Sequence, residues 1–349
     1  MTFQTSLDPL LTSPAPLLAL APMQDVTDLP FWRLMARYGG PDVYYTEYFR
    51  VHPTSNLEPW ILESLTQNPT GRPAIAQMIG NDVPSLVRTA KQLMTHPVAG
   101  IDLNLGCPAP VVYRKCAGGG LLRELKRVDA ILEALRQVVT TRFTVKTRIG
   151  FDSPAGFDDL LSLFAKHQID LLTVHGRTVY EGYRSEVHYE FIAKAVTRLR
   201  CPVLANGNIY SADKAAQVLQ STGARGLMIG RAAIRNPWLF DQIRRHQNGE
   251  VPVLPTGRQV LGYVRELFET TRPAGMRPEI HVEKMKKYTN FLGVGVEPTG
   301  QFLHQIRRVS GEVQFFEVLH RFLDHNDPMP LDPFPLQLAE RDQLAGEHR

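Results

Sequence analysis

Among the residues able to do chemistry, Cys107 is the most informative. It stands between Gly106 and Pro108, a setting that places it on a turn and not inside a strand. A thiol with an ordinary pKa of about 8.5 is mostly protonated at neutral pH and can serve as a general acid. Further polar groups lie in or at the ends of successive short apolar runs: Gln77, Asn104, Lys146 with Arg148, His175 with Arg177, Asn206-Gly207-Asn208, and Gly230-Arg231. Each alone is weak evidence, since a lone histidine such as His175 is more often a satisfied core residue. Six or seven at one end of consecutive runs are not readily explained by packing. Gly207 and Gly230 permit close backbone approach and Arg231 can pair with phosphate, although the glycines would serve equally in tight turns. Lys146 and His175 are donors suited to the electron-rich edge of a reduced cofactor. Cys116 and Cys201 read as packing thiols. The run Gly118-Gly119-Gly120 is a weak phosphate signal, better read as freeing a loop or opening a helix.

The elements that must position these groups follow from the apolar runs. Leu17–Ala21, Val43–Thr46, Ala74–Ile79, Ile101–Leu105, Phe143–Lys146, Leu171–His175, Val203–Asn206 and Gly226–Ile229 read as buried strands. Amphipathic stretches such as Val83–Met94, Val128–Val139, Tyr189–Leu199 and Ala212–Leu219 lie between them. Eight strands alternating with helices predict a parallel α/β sheet closed into a TIM (β/α)8 barrel, ahead of an open doubly wound sheet. In a barrel the working groups gather at the carboxyl ends of the strands, and phosphate sits after strands seven and eight. Beyond a polar, proline-bearing linker over Asn248–Pro255, the stretches Gln259–Thr270, His281–Asn290, Gly300–Ser310 and Glu312–Leu323 predict a small all-helical domain. The expected division is a catalytic barrel over residues 1–245, a helical domain over 256–325 and a loose extension over 326–349.

Bulk properties agree. The 349 residues exceed a single barrel of about 250, and 43% hydrophobic with 21% charged residues is ordinary for a globular chain. Three scattered cysteines fit neither a disulfide framework nor a common zinc pattern, which suggests a reducing cytoplasm and no metal. No run approaches the roughly 18 apolar residues of a membrane span, and Pro16–Met23 reads as a buried strand, not a signal segment. A net charge of +4 permits a nucleic-acid partner without demanding one. That charge is uneven. Thr256–Ser310 holds nine Lys and Arg against five Asp and Glu, and from Gly311 onward the balance is three against eight.

The runs APMQDVTDLPF (Ala21–Phe31), DLNLGCPAP (Asp102–Pro110), KCAGGGLL (Lys115–Leu122), TVKTRIG (Thr144–Gly150), TVHGRT (Thr173–Thr178), ANGNI (Ala205–Ile209) and MIGRAAIRNPWLF (Met228–Phe240) together resemble the bacterial tRNA-dihydrouridine synthases. The likeness extends in order and spacing from about Leu18 to Phe240, and more loosely beyond. It implies that FMN is the cofactor, NADPH the reductant and tRNA the partner, with no obligate protein partner evident. Pro22, Met23 and Gln24 would line the flavin, and Gln77, Lys146 and His175 would bond its polar edge. Asn206, Gly207, Asn208, Gly230 and Arg231 would hold its phosphate. Members often carry aspartate where this chain has Asn208, a position that works largely through its backbone. Asn104 would bond a flipped-out uracil of the D-loop. Reduced FMN would then offer hydride to C6, and Cys107 a proton to C5 from the opposite face. Lys284, Lys286, Lys287, Arg307 and Arg308 would face the tRNA backbone. Two rival readings are a flavin barrel acting on a free pyrimidine, as in dihydroorotate dehydrogenases, and a tRNA-binding protein without catalysis.

Overall fold

The computed structural model describes residues 6–335. The chain divides into two compact units: Met1–Leu29, Pro41–Ile209 and Ala216–Gly230 form one, and Pro30–Gly40, Tyr210–Ala215 and Arg231–Arg349 the other. The first unit carries nine strands: β1 (Leu17–Leu20), β2 (Val43–Tyr45), β3 (Phe49–Val51), β4 (Ala74–Gly80), β5 (Gly100–Leu105), β6 (Arg142–Arg148), β7 (Leu171–His175), β8 (Val203–Asn206) and β9 (Gly226–Ile229). Their order is β2-β1-β9-β8-β7-β6-β5-β4-β3, and a further β2–β4 pairing closes the ring. Every pairing is parallel. The result is an eight-stranded TIM barrel, as the alternation of runs predicts. Strands buried on both faces must be almost continuously apolar, so the runs mark all eight to within one or two residues. The exception is β3, where Phe-Arg-Val is too short to show a period; it pairs with β4 outside the ring, Phe49 opposite Met78.

The intervening helices bury one stripe each. Leu125–Val138 turns Val128, Ile131, Leu132 and Leu135 inward, the 3–4 spacing of one helical face. The amino-terminal segment fills the floor of the barrel. Leu7, fully buried, joins Leu17, Ala19, Val43, Tyr45, Ile75, Leu171, Leu204 and Met228 in one apolar cluster, with Leu10 and Leu11 packed against it. Arg225 fixes this segment by donating to the carbonyls of Leu10, Leu11, Ser13 and Ala15 at 2.6–3.1 Å.

In the second unit, Gly257–Thr271 begins with a capping box between Thr256 and Gln259. It is followed by Pro278–Leu292, Gln301–Ile306 and Glu312–Leu323. The helix expected over Gly300–Ser310 is shorter, because the chain tightens after Ile306 into a turn with the Arg308 N–H on the Gln305 carbonyl (3.0 Å). Phe268, Phe315 and Phe316 pack ring to ring, their centroids 5.2–5.8 Å apart. The segment expected to be loose from residue 326 is tied down as far as residue 335. Thr256 and Pro328 form an antiparallel bridge, Arg235 donates to the Leu331 carbonyl at 2.5 Å, and the Phe334 N–H bonds the Val294 carbonyl. Its prolines lack N–H groups but still offer carbonyls, and Leu331 is buried completely. Residues 336–349 lie outside the described part.

Because Leu7 is part of the barrel floor, Leu7→Ala should destabilise the protein by about 2–5 kcal/mol, the usual cost of a buried leucine truncation. A urea unfolding midpoint that does not move would contradict this role for the segment.

Candidate active site

Side chains on a strand alternate between its faces. Ile75, Leu171, Leu204 and Met228 face the barrel interior at its floor, so Gln77, Thr173, His175, Asn206 and Gly230, at even offsets from them, face the interior higher up. On β5 and β6 the same inward register belongs to Asp102 and Asn104, and to Thr144, Lys146 and Arg148. Asp102 lies opposite Gln77 on one side and Thr144 on the other. Asn104 is opposite Lys146, and His175 opposite Asn206. The interior thus changes from apolar to polar toward the carboxyl ends of its strands.

One side of this polar layer is a continuous hydrogen-bonded chain. Thr144 Oγ1 donates to Asp102 Oδ1 (2.5 Å), and Gln77 Nε2 to Asp102 Oδ2 (2.7 Å). Asn104 Nδ2 donates to Gln77 Oε1 (2.9 Å), while Asn104 Oδ1 accepts the backbone N–H groups of Gly106 and Cys107, both at 2.9 Å. Asn104 therefore builds the turn on which Cys107 sits. Arg148, almost fully buried, clamps the same turn from Nε to the Gly106 carbonyl (3.0 Å), and reaches the Thr178 and Gly182 carbonyls with Nη1. Behind the turn, Gly118-Gly119-Gly120 opens a buried 3-10 helix. A Cβ on Gly119 would come within 2.9 Å of the Cys107 carbonyl oxygen. Gly118 and Gly119 pack against the cysteine turn, and Gly120 against the Tyr113 backbone.

Burial raises the Asp102 carboxyl to about 6, against the bonds from Thr144 and Gln77 and the charge of Lys146. Burial and the like charge of Arg148 lower Lys146 to about 8, against the pull of Asp102. Lys146 is deep among protein atoms yet keeps some solvent contact, and its Nζ donates to Asn206 Oδ1 at 3.1 Å. Burial also lifts the half-buried Cys107 thiol above its ordinary value, opposed by the Ala109 N–H, Arg148, Lys146 and a hydrogen bond with Tyr48. The thiol is held protonated at neutral pH.

Across the barrel, Asn206 Nδ2 donates to the Met228 carbonyl (2.8 Å). Gly207 has φ +125°, and a Cβ there would press on Val187 at 3.0 Å. Its carbonyl accepts from Tyr189 Oη at 2.7 Å. Asn208 is left-handed at φ +47°, a conformation asparagine tolerates. The bare Gly230 faces Ala21 and the Met23 sulfur, 3.4 and 3.5 Å from where a Cβ would stand. Arg231 follows directly and opens the helix Arg231–Arg235, in the second unit. Pro22, Met23 and Gln24 lie on the loop after β1, where Thr27 Oγ1 accepts the Met23 N–H (2.8 Å) and Glu47 accepts the Val26 N–H (3.0 Å). His175 is buried, with Tyr183 edge-on to its ring at 6.1 Å. Gln77 is wholly buried inside the chain described above.

In the second unit, Lys287 and Arg308 are exposed, while Lys284, Lys286 and Arg307 are half-buried. Lys286 pairs with Glu283 (2.6 Å), and Arg307 donates to Asn290 (2.8 Å). Arg307 and Arg308 line a recess of about 480 Å³ together with Thr299, Gln301 and His304.

Asp102, Glu47 and Tyr48 carry no assignment from the sequence, which singles out Arg177 only beside His175. Asp102 had a readable signal, a carboxylate two residues before Asn104 within an apolar run, and so on its inward face. Glu47 depends on a contact 21 residues away. Burial brings it to about 7, against backbone bonds from Asp25 and Val26. Tyr48 meets Cys107 from a distant part of the chain, and Arg177 bonds the Ser185 carbonyl (2.7 Å) and Asn208 (3.5 Å) from a fully buried position. No periodic pattern announces such pairs.

A model of the dihydrouridine synthase (Dus) family matches residues 19–325, most of the chain. The chain belongs to the dihydrouridine synthase family. It is therefore an oxidoreductase. Among curated bacterial relatives it is 29% identical to the tRNA-dihydrouridine(16) synthase of Neisseria meningitidis, over 87% of this chain and 93% of that protein. It is 36% identical to a probable tRNA-dihydrouridine synthase of Helicobacter pylori, over 72% of this chain and 77% of that protein. Identity to the tRNA-dihydrouridine synthase B of Xanthomonas axonopodis is also 36%, over 72% and 75%. Among solved structures, histamine dehydrogenase from Rhizobium shares the barrel fold at a TM-score of 0.55 and 13% identity, over 89% of this chain and 63% of that one.

The raised thiol of this dihydrouridine synthase family member gives a direct test. With Cys116 and Cys201 replaced by serine, alkylation of Cys107 by iodoacetamide should be slow at about pH 7 and climb steadily through about pH 9, since only the thiolate reacts. A rate that levels off below about pH 8, under the ordinary thiol value, would mean that the thiol is not held protonated.

Proposed function

We propose that this family member reduces the C5–C6 bond of a D-loop uridine in tRNA, using FMN reloaded by NADPH, with Cys107 as the proton donor to C5. The observation that carries the reading is the Cys107 thiol, kept protonated on a turn fixed by Asn104 and Arg148 at the carboxyl end of the barrel. The polar layer fits a flavin. Gln24 Oε1 is buried without a protein partner and can accept from a ring N–H. Lys146 supplies a cation to the negatively charged edge, with His175 and the spare N–H of Gln77 as further donors. Gly207, where a Cβ would press on Val187, and the bare Gly230 leave backbone open for a phosphate beside Asn206 and Asn208, with Arg231 next in the chain.

Bound FMN supplies the hydride chemistry. The rest falls to this chain. Conjugation of C5–C6 with the C4 carbonyl makes C6 electrophilic and C5 basic once C6 has been attacked. Cys107 holds a proton at Sγ for C5, and Asn104 has an N–H left over for a uracil carbonyl. The base must leave its stack to arrive here, at a cost of a few kcal/mol, and the basic residues Lys284, Lys286, Lys287, Arg307 and Arg308 would grip the phosphate backbone to offset it. The names of the bacterial relatives support tRNA over a free pyrimidine, for which a helical unit with a basic cluster has no evident task. On this reading the enzyme works in the cytoplasm, with its tRNA.

Cys107→Ala should leave FMN content and flavin reduction by NADPH near normal. Reoxidation by unmodified tRNA should fall by about a hundred- to ten-thousand-fold, the contribution of a positioned acid. Reoxidation at the wild-type rate would remove Cys107 from the proton-donor role. For the second unit, neutralising the five basic residues together should weaken tRNA binding and flatten its salt dependence. The log–log slope should drop by about 0.7–0.9 for each phosphate no longer neutralised. Unchanged affinity and slope would put the RNA elsewhere.

A further inference from the structure

The chain Asp102–Gln77–Asn104–Cys107 has a direction. An ionised carboxylate only accepts hydrogen bonds, and a backbone N–H only donates. Asp102 at one end therefore forces Gln77 to present Nε2 to it and Oε1 to Asn104. Asn104 must answer with Nδ2, which leaves its Oδ1 for the N–H groups of Gly106 and Cys107. Both ends demand the same orientation of the two amides between them. Asp102 is wholly buried, and its carboxylate bonds Gln77 and Thr144.

We propose that Asp102 is a positioning residue: its carboxylate orients the Gln77 and Asn104 amides so that Asn104 can hold the Cys107 turn. A consequence concerns substrate choice and rests on the functional reading above. With Oδ1 committed to two N–H groups and one Nδ2 hydrogen to Gln77, the hydrogen-bonding capacity left on Asn104 is an N–H donor. A donor facing position 4 of the ring pairs with the carbonyl oxygen of uracil and not with the exocyclic amino group of cytosine.

The acceptor at position 102 can be removed or kept. Asp102→Leu offers Gln77 Nε2 nothing to bond, so the amides of Gln77 and Asn104 are no longer held in one orientation. Asp102→Asn keeps an acceptor: its oxygen can face Gln77 while its N–H donates to Thr144 Oγ1, since a hydroxyl both donates and accepts. Both variants remove the carboxylate charge, so the difference between them isolates the hydrogen bond to Gln77.

The readout is alkylation of Cys107 by iodoacetamide, with Cys116 and Cys201 replaced by serine and the product measured by intact-protein mass. It needs neither flavin nor tRNA, so its outcome is independent of whether Cys107 is the proton donor. Asp102→Leu should speed alkylation about fivefold or more over Asp102→Asn, on the scale of one broken internal hydrogen bond. Thr144→Val, which removes a bond to the same carboxylate and leaves the one to Gln77, should stay within about twofold of the parent rate, well under the effect of one broken link. A rate in Asp102→Leu that does not exceed that of Asp102→Asn overturns the proposal. If Asp102→Leu does not fold, Gln77→Leu cuts the same chain and should show the same rise over the parent; a Gln77→Leu rate within about twofold of the parent overturns it.

Discussion

A strand in a closed barrel sends every second side chain inward, and the rest of this structure depends on how that alternation is used. From Ile75 to Gln77, from Leu171 to His175, from Leu204 to Asn206 and from Met228 to Gly230, the inward positions pass from floor to mouth. The lower ones are apolar and close-packed over Leu7. Higher up, Gln77 bonds Asp102 on the next strand, Asn206 takes Lys146 from β6 across β7, and Gly230 is bare. Parallel pairing fixes which groups meet: Gln77 with Asp102, Asn104 with Lys146, His175 with Asn206. A slip of one residue in any of these strands would exchange its inward and outward sets.

Burying charge in such a layer costs energy unless partners share it. Here Asp102 is met by two hydrogen bonds and Lys146 by Asn206, while Arg148 is spread over three backbone carbonyls. What this arrangement secures is position. The Asn104 oxygen and the Arg148 guanidinium take hold of the same turn from opposite polarities, one accepting its N–H groups and the other donating to its carbonyl. Cys107 is thereby presented on a fixed backbone, and burial keeps its proton in place. A proton donor for a carbon atom requires both.

The barrel was legible in the sequence because its strands are buried on both faces, and continuous apolar runs survive any detail of packing. Gln77, Asn104, Lys146, His175 and Asn206 were visible as polar interruptions of those runs. Their mutual bonding was not, because it depends on register between strands distant in sequence, as for Gln77 with Asp102. Glu47 and Tyr48 stayed hidden for the same reason: each acts on a loop distant in sequence. The proline-bearing stretch after Asp324 misled in the other direction. Its composition suggests a loose tail, yet carbonyl groups and the buried Leu331 are enough to tie it down as far as residue 335.

Family membership, a polar barrel mouth and a protonated cysteine converge on reduction of uridine within tRNA. The most direct test is to map dihydrouridine in tRNA from cells lacking this gene, with and without the gene restored. The account predicts loss of dihydrouridine at a D-loop position and its return with the wild-type gene. Full dihydrouridine at every position in the deletion strain would contradict it.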